Sequence, residues 1–217
     1  MHRFPDFYSR VASLSFALAL VPLVAIPARA QFGAPDTTQV HDASALKPPP
    51  GAQIAIIEFE DLECPDCARA NPLLKDAAAK YNIPWVRHDF PLPQHNWSFQ
   101  AAVNARFFDA NSQTIGNDYR DEVFVNQPAI ETPADLQQFT QQFAAQHGIA
   151  LPAAIDPDGH LAELVKADYA LGQRIGIEHT PTIWIVTNAA HAPPFVEVVD
   201  RSRLYLLLDQ AEAETRP

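Results

Sequence analysis

Cysteine is nearly absent: the 217 residues include two, Cys64 and Cys67. Two thiols cannot build the disulfide framework of a small cysteine-rich exported domain. They also fall short of the four ligands a structural zinc site wants, and none of the eight histidines stands at ligand spacing from them. Basic residues are scarce as well, 15 against 26 acidic ones. That balance excludes nucleic acid and anionic lipid as natural partners. No internal repeat is present, which excludes a solenoid. A long apolar run is missing too, except near the start, where Val11 to Ile26 is short for a membrane span.

That run reads as part of an export signal. Arg3 and Arg10 give a basic leader, the apolar stretch follows, and Ala28-Arg29-Ala30 fits the small-x-small cleavage pattern. The alternative is a retained membrane anchor. In either case the body of the protein lies outside the cytoplasm, in the periplasm or an equivalent compartment. Without residues 1–30 the balance becomes 12 basic against 25 acidic residues, a net charge of −13. Some 187 residues then remain, enough for one domain or one domain with an insertion.

What is present centres on the two cysteines. Ile54 to Phe59 is a β-rich apolar run broken by Glu58, and Cys64-Pro65-Asp66-Cys67 follows within five residues. Pro65 suits the first helical position, where its missing N–H costs nothing. Cys64 then sits at a helix N-terminus, where free N–H groups and the helix dipole favour a thiolate. Cys67 falls one turn inside.

The rest of the chain supplies an α/β frame. Gln31 to Gly51, poor in apolar residues and closing on Pro48-Pro49-Pro50-Gly51, reads as a surface linker. Helix one extends to about Tyr81, with Pro72 expected to kink it. Ile83 to Phe90 is a second strand. Helical signals then dominate from Pro91 to Ile177: Trp97 to Phe108, a short piece from Tyr119 to Val125, a capped start at Thr132-Pro133-Ala134-Asp135 closing at Gly148, and a further helix after Asp156-Pro157. Pro181 to Val186 and Phe195 to Val199 are strands, and Arg201 to Glu214 is a closing amphipathic helix. The order describes an α/β core interrupted by a helical insertion.

From Ile54 onward the chain resembles the DsbA-like branch of the thioredoxin superfamily. Four features carry the resemblance. They are the Cys64-Pro65-Asp66-Cys67 motif at a strand–helix junction; Glu58, six residues ahead of it; Arg87-His88-Asp89-Phe90-Pro91-Leu92 with His95 and Ala101-Ala102; and Leu171 to Thr182, which ends in Thr180-Pro181-Thr182. The resemblance implies a thioredoxin-like core at 53–90 and 178–214 and a helical insertion at 91–177, which follow the signal peptide read at 1–30 and the linker read at 31–52. It implies a cis Thr180–Pro181 bond in a loop that packs against the cysteines and pairs with substrate backbone. Two positions depart from the family pattern: Asp66 stands where His is common, and His179 where Gly is common.

The function implied is thiol–disulfide exchange on cysteines of exported proteins, in the manner of a dithiol oxidase, with a membrane redox partner restoring the pair and no dissociable cofactor or metal. Cys64 is the nucleophile and Cys67 the resolving thiol. A structural disulfide across so short a loop would constrain the unfolded chain little. Glu58, if buried, has a raised pKa and can exchange a proton with Cys67; the alternative is a carboxylate at a solvated sheet edge. Pro65, Asp66, His179, Thr180 and Pro181 complete the candidate site. Other readings of the same residues are a reductase or isomerase, or a peptide-binding chaperone module. An acid inside the motif is expected to repel the Cys64 thiolate and make the pair a weaker oxidant than one with His at that position, unless a cation such as protonated His179 offsets it.

Overall fold

The computed structural model describes residues 37–190 and 193–215, so the expected export segment lies outside the described residues. Four strands form one mixed sheet. In chain order they are β1 (Ile54–Glu60), β2 (Trp85–Asp89), β3 (Thr182–Thr187) and β4 (Phe195–Glu197). Across the sheet the order is β2-β1-β3-β4, with β1 parallel to β2 and antiparallel to β3, and β4 antiparallel to β3.

All seven residues of β1 are buried, because helices cover the sheet on both faces. Ile54 and Ile56, with Ile183 and Ile185 of β3, pack against α1 (Pro65–Tyr81) and α6 (Leu204–Thr215) through Leu74, Ala77, Leu204 and Leu208. Ala55, Ile57 and Phe59, with Trp184 and Val186, face the other way, onto α5 (His160–Ile175). The period of two along a strand thus splits one apolar run between two cores. Gly172 lets α5 come close to this second face, since a Cβ there would lie 2.6 Å from the Phe90 ring and 3.2 Å from Phe59.

Between β2 and β3 run α2 (Ser98–Asn111), α3 (Gln113–Asn126), α4 (Pro133–Gln146) and α5. Phe108, Tyr119, Leu136 and Phe143 form a common core of α2, α3 and α4, and Leu62, Cys64 and Cys67 belong to it as well. The cysteines therefore sit at the seam between sheet and helices. A buried ion network reinforces that seam. Arg87 of β2 reaches Glu60 of β1 at 2.8 Å and Asp121 of α3 at 3.0 Å, and Arg120 of α3 reaches Asp109 of α2 at 2.8 Å.

Several boundaries differ from the sequence expectation. The second strand starts later, at Trp85, since the Ile83 N–H is committed to the Ala78 carbonyl at the end of α1 and Pro84 has no N–H to give. The piece expected at Tyr119–Val125 is a full helix beginning at Gln113, because the Ser112 hydroxyl accepts the Ile115 N–H at 3.1 Å and caps it. α1 spans Pro65–Tyr81 with Pro72 inside it, as expected. Thr132 and Asp135 do form a capping box at the start of α4.

The described part of the stretch read as a surface linker, residues 37–52, is fastened to the core. Leu46 is 2% exposed, the His41 N–H donates to the Ile175 carbonyl at 2.8 Å, and Thr38 donates from N and Oγ1 to Glu197 at 2.6 and 2.8 Å. Low apolar content is the reason it reads as a linker; Leu46, with Val40 and Ala45 packed against the same core, and a few long-range hydrogen bonds, among them Asn188 Nδ2 to the Ala52 carbonyl at 3.0 Å, hold it.

Candidate active site

The turn from β1 into α1 is built by Asp61. Its backbone carbonyl accepts the Cys64 N–H at 3.0 Å, Oδ1 accepts Glu63 N–H at 2.7 Å, and Oδ2 accepts Leu92 N–H at 2.6 Å. His95 Nδ1 lies 2.7 Å from the same Oδ2. This buried carboxylate joins the motif's approach to the loop after β2. Burial pushes its pKa up, against the pull of the Leu92 N–H.

Two further contacts clamp the turn to the helical block. Glu63 Oε2 accepts the backbone N–H groups of Trp97 and Ser98 at 2.7 and 3.0 Å, which satisfies two orphan donors at the start of α2. Gln127, in the short 3-10 turn after α3, donates Nε2 to the carbonyls of Leu62 at 2.7 Å and Cys64 at 3.1 Å.

Cys64 is the N-cap of α1 and Pro65 occupies its first turn. Both cysteines are free thiols. Cys64 is 7% exposed rather than open, because the Thr180–Pro181 loop lies over it: Sγ is 3.4 Å from the Thr180 carbonyl oxygen, to which the thiol donates. The Cys64 pKa falls from an ordinary 9.0 to about 6. The largest cause is a hydrogen bond from Cys67; burial opposes it, and Thr180 and the N–H groups of Cys67 and Asp66 at the helix start lower it further. The Thr180 hydroxyl is buried beside this contact with no hydrogen-bond partner among the described residues. Cys67 is fully buried, and burial first, then the Cys64 sulfur, pushes its pKa well above the ordinary value. Asp61 N–H approaches Cys67 Sγ at 3.5 Å.

Glu58 is 1% exposed, so it is not at a solvated edge. The Trp85 indole donates to Oε2 at 3.0 Å, while Oε1 has no hydrogen-bond partner among the described residues. Burial is the main cause that pushes its pKa well up, with the neighbouring Glu60 second. Its charge in turn raises the Cys67 pKa, which places the two groups in one electrostatic unit.

The Thr180–Pro181 peptide bond is cis. The loop is held by the Thr182 hydroxyl donating to the His179 carbonyl at 2.7 Å. His179 itself is exposed, its imidazole has no hydrogen-bond or ion-pair partner among the described residues, and it is not brought onto Cys64. His88 stacks on Phe59 and meets Asp168 at 2.9 Å, away from the motif. Pro65 is exposed at the helix start. Asp66 is not an unpaired acid: Arg201 Nη2 contacts its Oδ1 at 2.6 Å and Arg69 Nη2 at 3.0 Å, and the Arg201 hydrogen bond is the main reason its pKa is lowered. The cations paired with the motif acid are therefore Arg201 and Arg69, while His179 stands across the adjoining cavity without pairing to it. That cavity, of about 350 Å³, opens between Asp66, His179, Pro181 and the Glu197–Ser202 loop. Among the described residues no three His, Cys, Asp or Glu side chains gather as metal ligands would.

Asp61, Glu63, Trp85, Gln127 and Arg201 escape a reading of the sequence. Only Asp61 and Glu63 carry a local signal, as acids just ahead of a helix start.

Comparison with known proteins agrees with this architecture. A family model described as thioredoxin matches residues 49–200. Among solved structures, alpha-DsbA1 from Wolbachia pipientis is 18% identical, with a TM-score of 0.62 over 77% of this chain and 89% of that one. Oxidised BdbD from Bacillus subtilis is 17% identical, with a TM-score of 0.62 over 82% and 97%. DsbA2 of Pseudomonas aeruginosa is 18% identical, with a TM-score of 0.55 over 79% and 95%. At such identities the likeness establishes the thioredoxin-like fold. A curated relative, the Na(+)/H(+) antiporter NhaA 3 of Salinispora tropica, is 23% identical over 178 residues, 81% of this chain; the chain spans 26% of that relative's length.

Proposed function

This chain belongs to the thioredoxin family, and from that premise we propose that it is a thiol–disulfide oxidoreductase whose reacting sulfurs are Cys64 and Cys67. The observation that carries the reading is the asymmetry of the pair. Cys64, at the helix start under Thr180, has its pKa lowered to about 6, while Cys67 beneath it is driven well above the ordinary value. One sulfur is thus a ready nucleophile and good leaving group at neutral pH, and the other stays protonated until needed.

In the oxidising direction, a substrate thiolate attacks Cys64 Sγ of the Cys64–Cys67 disulfide. The S–S bond breaks and Cys67 leaves, taking a proton from the Glu58 carboxyl. A second substrate thiolate then attacks the substrate sulfur of the mixed disulfide and releases Cys64 as its stabilised thiolate. Two electrons pass from the substrate dithiol to the protein, and the substrate gains a disulfide. In reverse, Cys64 attacks, and Cys67 gives its proton to Glu58 before resolving the mixed disulfide. Pro181, beside Cys64, lines the place where a substrate strand would lie.

Stabilising the Cys64 thiolate stabilises the reduced form, which favours the oxidase direction. The substrates are cysteine-containing exported proteins, and a membrane redox partner re-forms the disulfide. The basic, then apolar, N-terminal stretch of the sequence supports a site of action outside the cytoplasm. No helix among the described residues is long and apolar enough to cross a membrane. The antiporter name belongs to a protein of which this chain spans about a quarter, and ion transport is not carried over.

The test is to mix the oxidised protein with a reduced two-cysteine peptide and follow both by mass spectrometry. The peptide disulfide should appear in step with the Cys64/Cys67 dithiol, and Cys64→Ser should abolish it. A peptide that stays reduced would overturn the reading.

A further inference from the structure

Arg201 lies 135 residues from Asp66 in sequence, yet its Nη2 contacts Asp66 Oδ1 at 2.6 Å and its Nη1 lies 3.5 Å from the Asp66 backbone carbonyl. It stands in a 3-10 turn (Arg201–Arg203) fixed by Asp200, whose Oδ1 accepts the Ser202 N–H at 3.0 Å. Arg69 also reaches Asp66 Oδ1, but its side chain is 66% exposed against 31% for Arg201, so solvent screens it more. The carbonyl that Arg201 approaches belongs to the same peptide unit as the Cys67 N–H. That N–H is one of the groups favouring the Cys64 thiolate. Arg201 therefore touches the motif twice: at its acid, and at a peptide that faces the reacting sulfur.

We propose that Arg201, outside the motif, is the positioning residue that sets the redox poise of the cysteine pair: paired with Asp66, it offsets that acid's repulsion of the Cys64 thiolate. The inference rests on the proposed thiol–disulfide function. The motif acid and its partner form a neutral unit, so an aspartate can stand there without weakening the thiolate. Loss of either partner uncovers the charge of the other. The other charged or titratable groups around the pair are Arg69 on the same helix, Asp61 and Glu63 in the turn before it, the buried Glu58 of β1, and His179, Glu197 and Asp200 around the cavity beside Asp66; all of them are unchanged in the variants below.

The test measures two quantities in the full protein and its variants: the Cys64 titration, from thiolate ultraviolet absorbance of the reduced form, and the equilibrium with glutathione. Arg201→Gln should raise the Cys64 pKa by about half to one unit and favour the disulfide about three- to tenfold, a more reducing pair by about 15–30 mV. Asp66→Asn should move both readouts in the opposite direction, and the double variant should return close to the parent. Arg201→Lys should recover most of the parental value. A purely structural role predicts loss of thiolate stability from either single change. Shifts of the same sign in both singles, or no shift in Arg201→Gln, would overturn the inference. If the parent protein forms no disulfide with glutathione at all, the proposed function fails instead, and the thiolate titration still decides the role of Arg201.

Discussion

The Trp85 indole donates its N–H to Glu58 Oε2 at 3.0 Å and leaves Oε1 buried with no partner among the described residues. Burial pushes the pKa of this singly held carboxyl well up, which suits the proton exchange with Cys67 in the proposed reaction. Trp85→Phe should raise the Glu58 pKa further, because the bond it removes favours the charged form. Carbon-13 NMR of the Glu58 carboxyl reads this directly. Glu58→Gln should slow the Cys67 step by about 100-fold, the usual size of a positioned proton-transfer group. The sign for stability runs the other way. A carboxyl that binds its proton more tightly when folded than at its ordinary 4.5 destabilises the fold as pH rises past that value. Glu58→Gln should therefore gain stability over the parent from about pH 5 upward, measured by urea unfolding.

The two thiols should separate cleanly by reactivity. Iodoacetamide applied to the reduced native protein should label Cys64 with a pH midpoint close to 6 and leave Cys67 unlabelled, as read by peptide mass spectrometry. The Cys64 pKa is depressed on folding, so its contribution to the reduced fold is full above about pH 9 and is lost as pH falls through about 6. Cys64→Ser should flatten that part of the pH–stability curve. Equal labelling of both cysteines would contradict the geometry.

Glu63 should matter through the helix it caps. Glu63→Ala leaves the Trp97 and Ser98 N–H groups without their acceptor and should cost about 1–2 kcal/mol, seen as a lower urea midpoint. Glu163→Ala makes a suitable contrast, since its partner Lys166 is exposed and the pair is worth at most about 0.5 kcal/mol.

Gly172 should resist even a methyl group. Gly172→Ala would place Cβ 2.6 Å from the Phe90 ring, and crowding of this kind in a packed core costs about 1–3 kcal/mol. An unchanged melting profile would mean that α5 can move away from the sheet freely.

The parts of this architecture legible in the sequence are those with local causes. Proline at the first helical position, an apolar run before it and a Thr-Pro-Ala-Asp start announce themselves within a few residues, and Cys64 and Thr132 stand where those signals put them. The start of α3 is not legible, because a single serine cap, without proline or glycine, is a weak signal. Gln127 reaching the Cys64 carbonyl, Glu63 reaching α2 and Arg201 reaching Asp66 join residues 34 to 135 positions apart, and no spacing rule encodes such contacts. The expectation that Asp66 weakens the thiolate treats that acid as unpaired for the same reason. The tethering of 37–52 is hidden because it depends on where Leu46 and Thr38 land, not on how apolar the stretch is.

The central claim is that Cys64 is the sulfur that carries a substrate, and trapping it tests this most directly. In a Cys67→Ala variant the resolving thiol is gone, so a mixed disulfide formed at Cys64 should persist. Because Cys67→Ala also removes the hydrogen bond that does most to lower the Cys64 pKa, the incubation with a disulfide-bonded peptide is run at about pH 9.5, above the ordinary thiol value of 9.0, and the variant should accumulate one covalently attached peptide half, mapped to Cys64 and released by reductant. A variant that stays unmodified under these conditions, at a pH where the Cys64 thiolate prevails, would contradict the account.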